Sequence, residues 1–281
     1  MSQQINRIKQ RIKTINGALK VTSAMKLVST VKLKKWKNKM FVNRTYSSQI
    51  EEITNEVFRF AKKVKSPFIE PNLESRRKLY IIVSSTLGLC GAYNSNIFKL
   101  ADITLKENDE LIVLGKKGLN HFEKDRFTML KDFSSYSTIT DQGVIRQLSQ
   151  FVTEQYQANK YQEIHLIYSS YKNSFVFVPK DVTILPVKKP EENNELDFAP
   201  IMEPTPQKLV DSLLPLYLKT LIYSKLLESE VCEHAARRNA MENATDNAQE
   251  LIDKLTIELS KARQSSITEE ITEIVSTARA Q

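Results

Sequence analysis

Apolar residues near the start of the chain fall at Ile5, Ile8, Ile12, Ile15 and Leu19, then Met25, Val28, Trp36 and Met40, and onward to Ile50, Ile53, Val57, Phe60 and Val64. Steps of three and four dominate. Such residues form one narrow stripe on a helix, the seam of a coiled coil and not the broad face of a helix lying on a globule. The last third repeats the spacing at Leu209, Leu213, Tyr217 and Leu221, then Met241, Ala244, Ala248, Leu251, Leu255, Leu259 and Ala262, and finally Ile267, Ile271, Ile274 and Ala278. Ser2 to Lys65 contains only Gly17 as a helix-weakening residue, and Leu216 to Gln281 contains neither Gly nor Pro. At 1.5 Å per residue each segment predicts a helix of roughly 90–100 Å, longer than a compact core covers.

The middle of the chain reads differently. Pro67 and Pro71 stop the first helix, and Lys78 to Ser85 is a β-rich apolar run suited to a buried strand. A glycine-bearing loop, Gly88 to Gly91, leads to a helix near Asn94 to Lys106, a strand at Glu110 to Leu114 and a helix near Gly118 to Lys124. Another helix spans Gln142 to Asn159, and strands follow near Glu163 to Ser169, Ser174 to Val178 and Val182 to Leu185, the last two as a hairpin edge. This alternation predicts a parallel α/β sheet. Pro186 to Pro206 is a proline-rich connector into the final helix, which Pro215 is expected to kink.

The fold class is therefore α/β: a long antiparallel coiled coil of N- and C-terminal helices with a Rossmann-like α/β domain inserted between them. The divisions are 1–66, 67–206 with the connector, and 207–281. Antiparallel pairing from the domain outward sets Lys65 near Lys208 and Ser2 opposite Glu270, leaving about ten residues as a single helix.

Charge sharpens the picture. Lys and Arg occur twelve times before residue 50, ahead of the first acid, Glu51, whereas Leu216 onward carries eleven acids against eight bases. The terminal helices can lie together without repelling. The basic helix admits three readings: a solvated face, a nucleic-acid binder, or a surface for acidic protein loops. An uninterrupted seam under the basic stretch argues against a zipper-type DNA reader, whose basic arm extends beyond its zipper. A basic, acid-free start also describes a transit peptide, but the stripe runs past any cleavage point. The longest apolar runs, Leu79 to Val83 and Leu111 to Leu114, are far short of the ~20 residues of a bilayer span, so membrane association is expected only through partners.

Chemistry-bearing motifs are sparse. The six glycines form neither GxxxxGK[ST] nor GxGxxG, so no phosphate cradle and no cofactor is expected. His121, His165 and His234 lack ligand spacing, and Cys90 and Cys232 lack a CxxC, a usage suited to a reducing compartment. Cys90 reads either as a reactive thiol or as a small buried sulfur in a tight turn.

Three blocks of residues carry a resemblance. Ile5 to Lys9, Val21 to Val28 and Lys32 to Lys34 form the first; Gly88 to Asn96 the second; Ala235 to Arg237, Met241 to Asn247, Lys261 to Gln264 and Ile267 to Val275 the third. In these the chain resembles the gamma subunits of rotary ATP synthases, the central stalk turning inside a ring of alpha and beta subunits. The resemblance implies a non-catalytic rotor whose coiled coil couples rotation to ATP synthesis or hydrolysis in the beta subunits. It implies that Met25 and Lys26 pass the acidic lever loops of the beta subunits. It also implies that Arg263, Gln264, Thr268 and Glu270 make polar contacts with a beta-subunit loop, and that Arg237 is a shaft arginine. Further partners so implied are an epsilon-type small stalk subunit and a membrane rotor ring, with the complex at the cytoplasmic face of the cell membrane. Neither nucleic acid nor direct bilayer insertion belongs to this reading. Thr86 and Leu87 replace the acidic and basic residues the family places before its GLCG, and Ser276 to Gln281 is more polar than the family's ending. Alternatives are a gamma-like rotor of a related ATPase without a membrane ring, a basic coiled-coil nucleic-acid binder, or an α/β enzyme with a polar pocket near Gly88 to Asn94.

Overall fold

A computed structural model describes residues 2–61, 64–123, 127–132, 139–188 and 200–279. The elements in chain order are α1 (Ser2–Phe60), β1 (Lys78–Val83), α2 (Tyr93–Thr104), β2 (Glu110–Leu114), α3 (Lys116–Phe122), β3 (Thr128–Asp132), α4 (Gln142–Gln157), β4 (Glu163–Tyr171), β5 (Phe177–Leu185) and α5 (Pro206–Arg279). The chain divides into two compact units, one of Met1–Thr30 with Arg237–Gln281 and one of Val31–Ala236.

The larger unit holds a five-stranded sheet in the order β3-β2-β1-β4-β5. β1 pairs in parallel with β2 and β4, β2 in parallel with β3, and β5 runs antiparallel along β4. The buried run of β1 alternates between two apolar layers. Leu79, Ile81 and Val83 join α4, the start of α5 and the end of α1, while Tyr80 and Ile82 join Ile97 and Ala101 of α2 and Phe122 of α3. At the start of α4 the Asp141 carboxylate accepts from the Gly143 N–H at 2.7 Å, satisfying an otherwise orphaned donor.

Several boundaries differ from those expected. α1 ends at Phe60, short of Lys65, where Ala61 N–H still donates to Val57 O at 2.8 Å before the chain turns toward Pro67. α5 continues through Pro215. β3 is absent from the sequence reading because an edge strand needs no continuous apolar run, and Thr128–Asp132 has none. The two short strands expected over 174–178 and 182–185 are one strand, β5, whose hairpin partner is β4. Pro179 lies inside it, tolerated because β5 is an edge strand with no further strand among the described residues to require a backbone donor there. The connection turns at Asn173, whose Oδ1 accepts from the N–H groups of Phe175 (2.9 Å) and Val176 (2.8 Å). Residues 62, 63 and 189–199, which the first helix and the connector were expected to cover, lie outside the described residues.

An ionic cluster around the buried His165 ties β5 to the sheet. His165 Nδ1 lies 3.0 Å from Asp181, its Nε2 lies 3.0 Å from Glu163, and its ring stacks on Tyr80 at 4.8 Å. Ionised carboxylates only accept hydrogen bonds, so the arrangement favours the protonated imidazole, in which both ring nitrogens donate. Burial pulls its proton affinity down, but the bonds to Asp181 and then Glu163 outweigh burial, so its pKa is raised. A raised folded pKa stabilises fully below the unfolded value near 6.5 and is lost as pH climbs through the folded value. The melting temperature should therefore fall on that alkaline side, and His165→Gln should flatten the fall; an identical profile in both proteins would contradict the assignment.

Candidate partner-binding surfaces of the long helices

Along α1 the least accessible positions are Ile8, Ile12, Ile15, Leu19, Thr22, Lys26, Ser29, Leu33, Trp36, Met40, Asn43, Ser47, Ile50, Thr54 and Val57, with Met25 and a few neighbours also half-buried. They follow an alternating four-three step, two interleaved heptads beginning at Ile8 and Ile12. This seam differs from the one expected. Ser29 and Thr54 are buried where Val28 and Ile53 were assigned, and the latter two are exposed. On α5 the same displacement makes Thr245 and Ile252 seam residues in place of Ala244 and Leu251, although Ala244 remains half-buried.

In the smaller unit the helices make polar contacts near Thr30 and Arg237, where the unit ends. Thr245 Oγ1 lies 2.9 Å from Thr22 Oγ1, and Lys26 Nζ lies 2.9 Å from Glu242 Oε1. Arg238 reaches the other oxygen of Glu242 at 3.3 Å. The hydrogen bond from Lys26 holds the Glu242 carboxyl below the usual carboxylate range. Equal steps outward from the threonine pair bring Ser2 opposite Ser265, about five residues short of the expected Glu270. A half-exposed pair contributes about 1 kcal/mol at most. Lys26→Glu should lower the melting temperature at low salt by a few degrees, and adding Glu242→Lys should recover most of the loss, with Arg238 opposing full recovery. Equal melting of single and double variants would show that the pair is idle.

Beyond that register the apolar stripe of α5 continues without cover. Ile267, Ile271, Ile274 and Val275 are all exposed, so the seam does not persist to the end of the chain as expected. Arg263, Gln264, Thr268 and Glu270 are exposed on the same stretch of helix. Thr268 Oγ1 donates to Gln264 O at 2.9 Å, and Ser266 Oγ lies 3.4 Å from Glu270. Met25 and Lys26 are half-buried on α1, while Arg237 is 5 % exposed and so faces inward. The structure thus places Arg263, Gln264, Thr268 and Glu270 together on one segment, Met25 and Lys26 together on another, and Arg237 with neither.

The α/β domain offers a second place to look for chemistry, the switch point at β1 where the strand order reverses. Its loop is knitted shut. Ser85 N–H donates to Asn94 Oδ1 (3.0 Å), and Asn94 Nδ2 reaches both Ser85 Oγ (2.7 Å) and Cys90 Sγ (3.2 Å). Cys90 is buried, which supports the tight-turn reading of this sulfur over a reactive thiol, while Leu87 and Leu89 point outward. Among the described residues no group of three or more His, Cys, Asp or Glu side chains is placed to hold a metal.

Helices of 59 and 74 residues, paired by a heptad seam and carrying exposed cations and a bare apolar end, belong to a structural subunit built to be gripped by other chains. The family described as ATP synthase matches residues 4–280. The chain is 37% identical to the ATP synthase gamma chain of Mycoplasma mobile and 34% identical to that of Pelotomaculum thermopropionicum, with 97% of each chain covered in both cases. Its fold is similar to a chain of the Euglena gracilis mitochondrial ATP synthase OSCP/F1/c-ring structure, at a TM-score of 0.70 and 19% identity, covering 100% of this chain and 95% of that one. The chain belongs to the ATP synthase gamma-chain family. It is a stalk subunit of the membrane-associated complex and not itself catalytic; the catalytic sites lie in the beta subunits. Among its described residues no helix is long and apolar enough to cross a membrane.

Proposed function

We propose that this chain is the rotor of an F-type ATP synthase, with its paired helices inside a ring of alpha and beta subunits and its α/β domain beside a small epsilon-type subunit and a membrane rotor ring, at the cytoplasmic face of the cell membrane. The observation that carries this reading is the bare stripe Ile267, Ile271, Ile274 and Val275 on the outermost part of α5. Small and apolar side chains can turn in a close-fitting bore without forming strong directional stops. Rotation then biases which beta subunit is open or closed, a linkage between global states with different nucleotide affinities.

The polar residues take graded roles. Arg263, Gln264, Thr268 and Glu270 are free to meet a beta-subunit loop. Met25 and Lys26 meet acidic lever loops as part of a cluster in which Lys26 and Arg238 share one carboxylate, so the cluster keeps a net positive charge. Arg237, buried within its own chain, acts by supporting the shaft. Purification of the tagged chain under native conditions tests the assignment. Alpha, beta, the small stalk subunit and a membrane ring should co-purify; recovery of the chain alone, or with nucleic acid, would overturn it, and a ring-less ATPase would correct the membrane part.

A further inference from the structure

In open α/β sheets ligands settle beyond the carboxyl ends of the strands at the switch point. In this chain α5 itself occupies that position. The Glu228 carboxylate accepts from the Tyr171 N–H at 2.7 Å and from Ser170 Oγ at 2.9 Å, at the end of β4. Ser229 Oγ accepts from the Ser169 N–H at 3.3 Å and pairs with the Tyr93 hydroxyl at 2.8 Å, on the first residue of α2. The Cys232 thiol donates to Ser169 O at 3.3 Å. Ser229 and Cys232 are fully buried and Tyr93, Ser169 and Ser170 nearly so. Burial pushes the Cys232 thiol up to about 12 and the Tyr93 phenol well above its ordinary value, so both stay neutral donors.

These bonds sit within apolar packing, where Cys232 and Ala236 of α5 join the layer of Tyr93 and Ile97. Apolar contact is non-directional and resists pulling apart better than sliding. Buried hydrogen bonds are directional, and breaking one strands a donor or acceptor away from water. We propose that Glu228, Ser229 and Cys232 form the torque joint of the subunit, fastening α5 to the end of β4 and the start of α2 so that the α/β domain turns with the helix. The crevice that would hold a substrate in an enzyme of this sheet type has become a mechanical socket, filled by the chain's own helix. This inference rests on the rotor reading for its purpose, although the clamp itself does not.

Two measurements on the full chain separate them. In the first, amide exchange at Ser169 and Tyr171 should accelerate at least several-fold in Glu228→Ala/Ser229→Ala and remain slow in Glu228→Gln, which keeps an acceptor oxygen; unchanged protection in the double variant overturns the joint whether or not the protein rotates. The second uses the reconstituted complex, with a bead attached through Ile103→Cys, a strongly exposed position on α2. The double variant, or Ser229→Ala alone if the double variant assembles poorly, should widen the bead's angular fluctuations several-fold at an unchanged ATP hydrolysis rate. Wild-type stiffness in these variants contradicts the joint. A wild-type bead that never turns contradicts the rotor reading instead, leaving the exchange result to decide the clamp.

Discussion

Ala248→Pro is expected to abolish coupled rotation. Ala248 is a buried seam residue deep inside α5, and proline there removes a backbone donor and drives its ring into the carbonyl of Ala244, at a cost of about 3 kcal/mol or more. The kink also redirects everything beyond it, including Ile267 to Val275. Leu251→Pro should do the same although its side chain is half exposed, because the damage is to the backbone. Leu251→Ala is the control and should leave rotation intact. In a reconstituted ring the proline variants should hydrolyse ATP without turning a bead; normal torque from either would show that continuity of the helix is unnecessary.

The second large effect belongs to the α/β domain. Gly115 has φ +89°, and a Cβ added there would lie 2.2 Å from the carbonyl oxygen of Ser84. Ser84 cannot yield, because its N–H donates to Leu114 O at 2.9 Å and its hydroxyl is held by Leu114 O (2.7 Å) and the Gly118 N–H (2.8 Å). Gly115→Ala combines left-handed strain with overpacking against backbone and should cost on the order of 3 kcal/mol or more. Gly17→Ala is the counterpart: nothing lies within 4 Å of that position in the middle of a helix, so stability should rise by roughly 1 kcal/mol. Denaturant unfolding of both variants reads the difference directly, and equal midpoints would refute the strain at Gly115.

The long helices were legible because Gly and Pro are missing from two stretches that keep a three-four spacing, and the parallel strands because Leu79 to Val83 and Leu111 to Leu114 are unbroken apolar runs. The exact seam was not, because the chain fills heptad positions with Thr22, Lys26, Ser29 and Thr54 while leaving Val28, Ile53 and Leu251 outside. Strict seven-residue counts from Ile8 and from Ile12 would have found those positions; counting apolar letters could not. β3 was missed and β5 was split because edge strands tolerate polar residues and even Pro179. Of the residues implied by resemblance, Arg263, Gln264, Thr268 and Glu270 are exposed on the outer part of α5 and Met25 and Lys26 half-buried on α1, but Arg237 is buried, and no periodicity distinguishes an inward arginine from an outward one. The Glu228–Ser229–Cys232 socket left no sequence signal, since it depends on β4 ending beside a helix nearly sixty residues later.

The most direct test locks the two helices together. Cysteines replacing Thr22 and Thr245, whose hydroxyls lie 2.9 Å apart, should oxidise to a disulfide, and the reconstituted complex should still turn a bead on the α/β domain while hydrolysing ATP, because the bond lies within one rotating body. Failure of the disulfide to form, or ATP hydrolysis by the locked complex with a stationary bead, would contradict a shaft of clasped antiparallel helices.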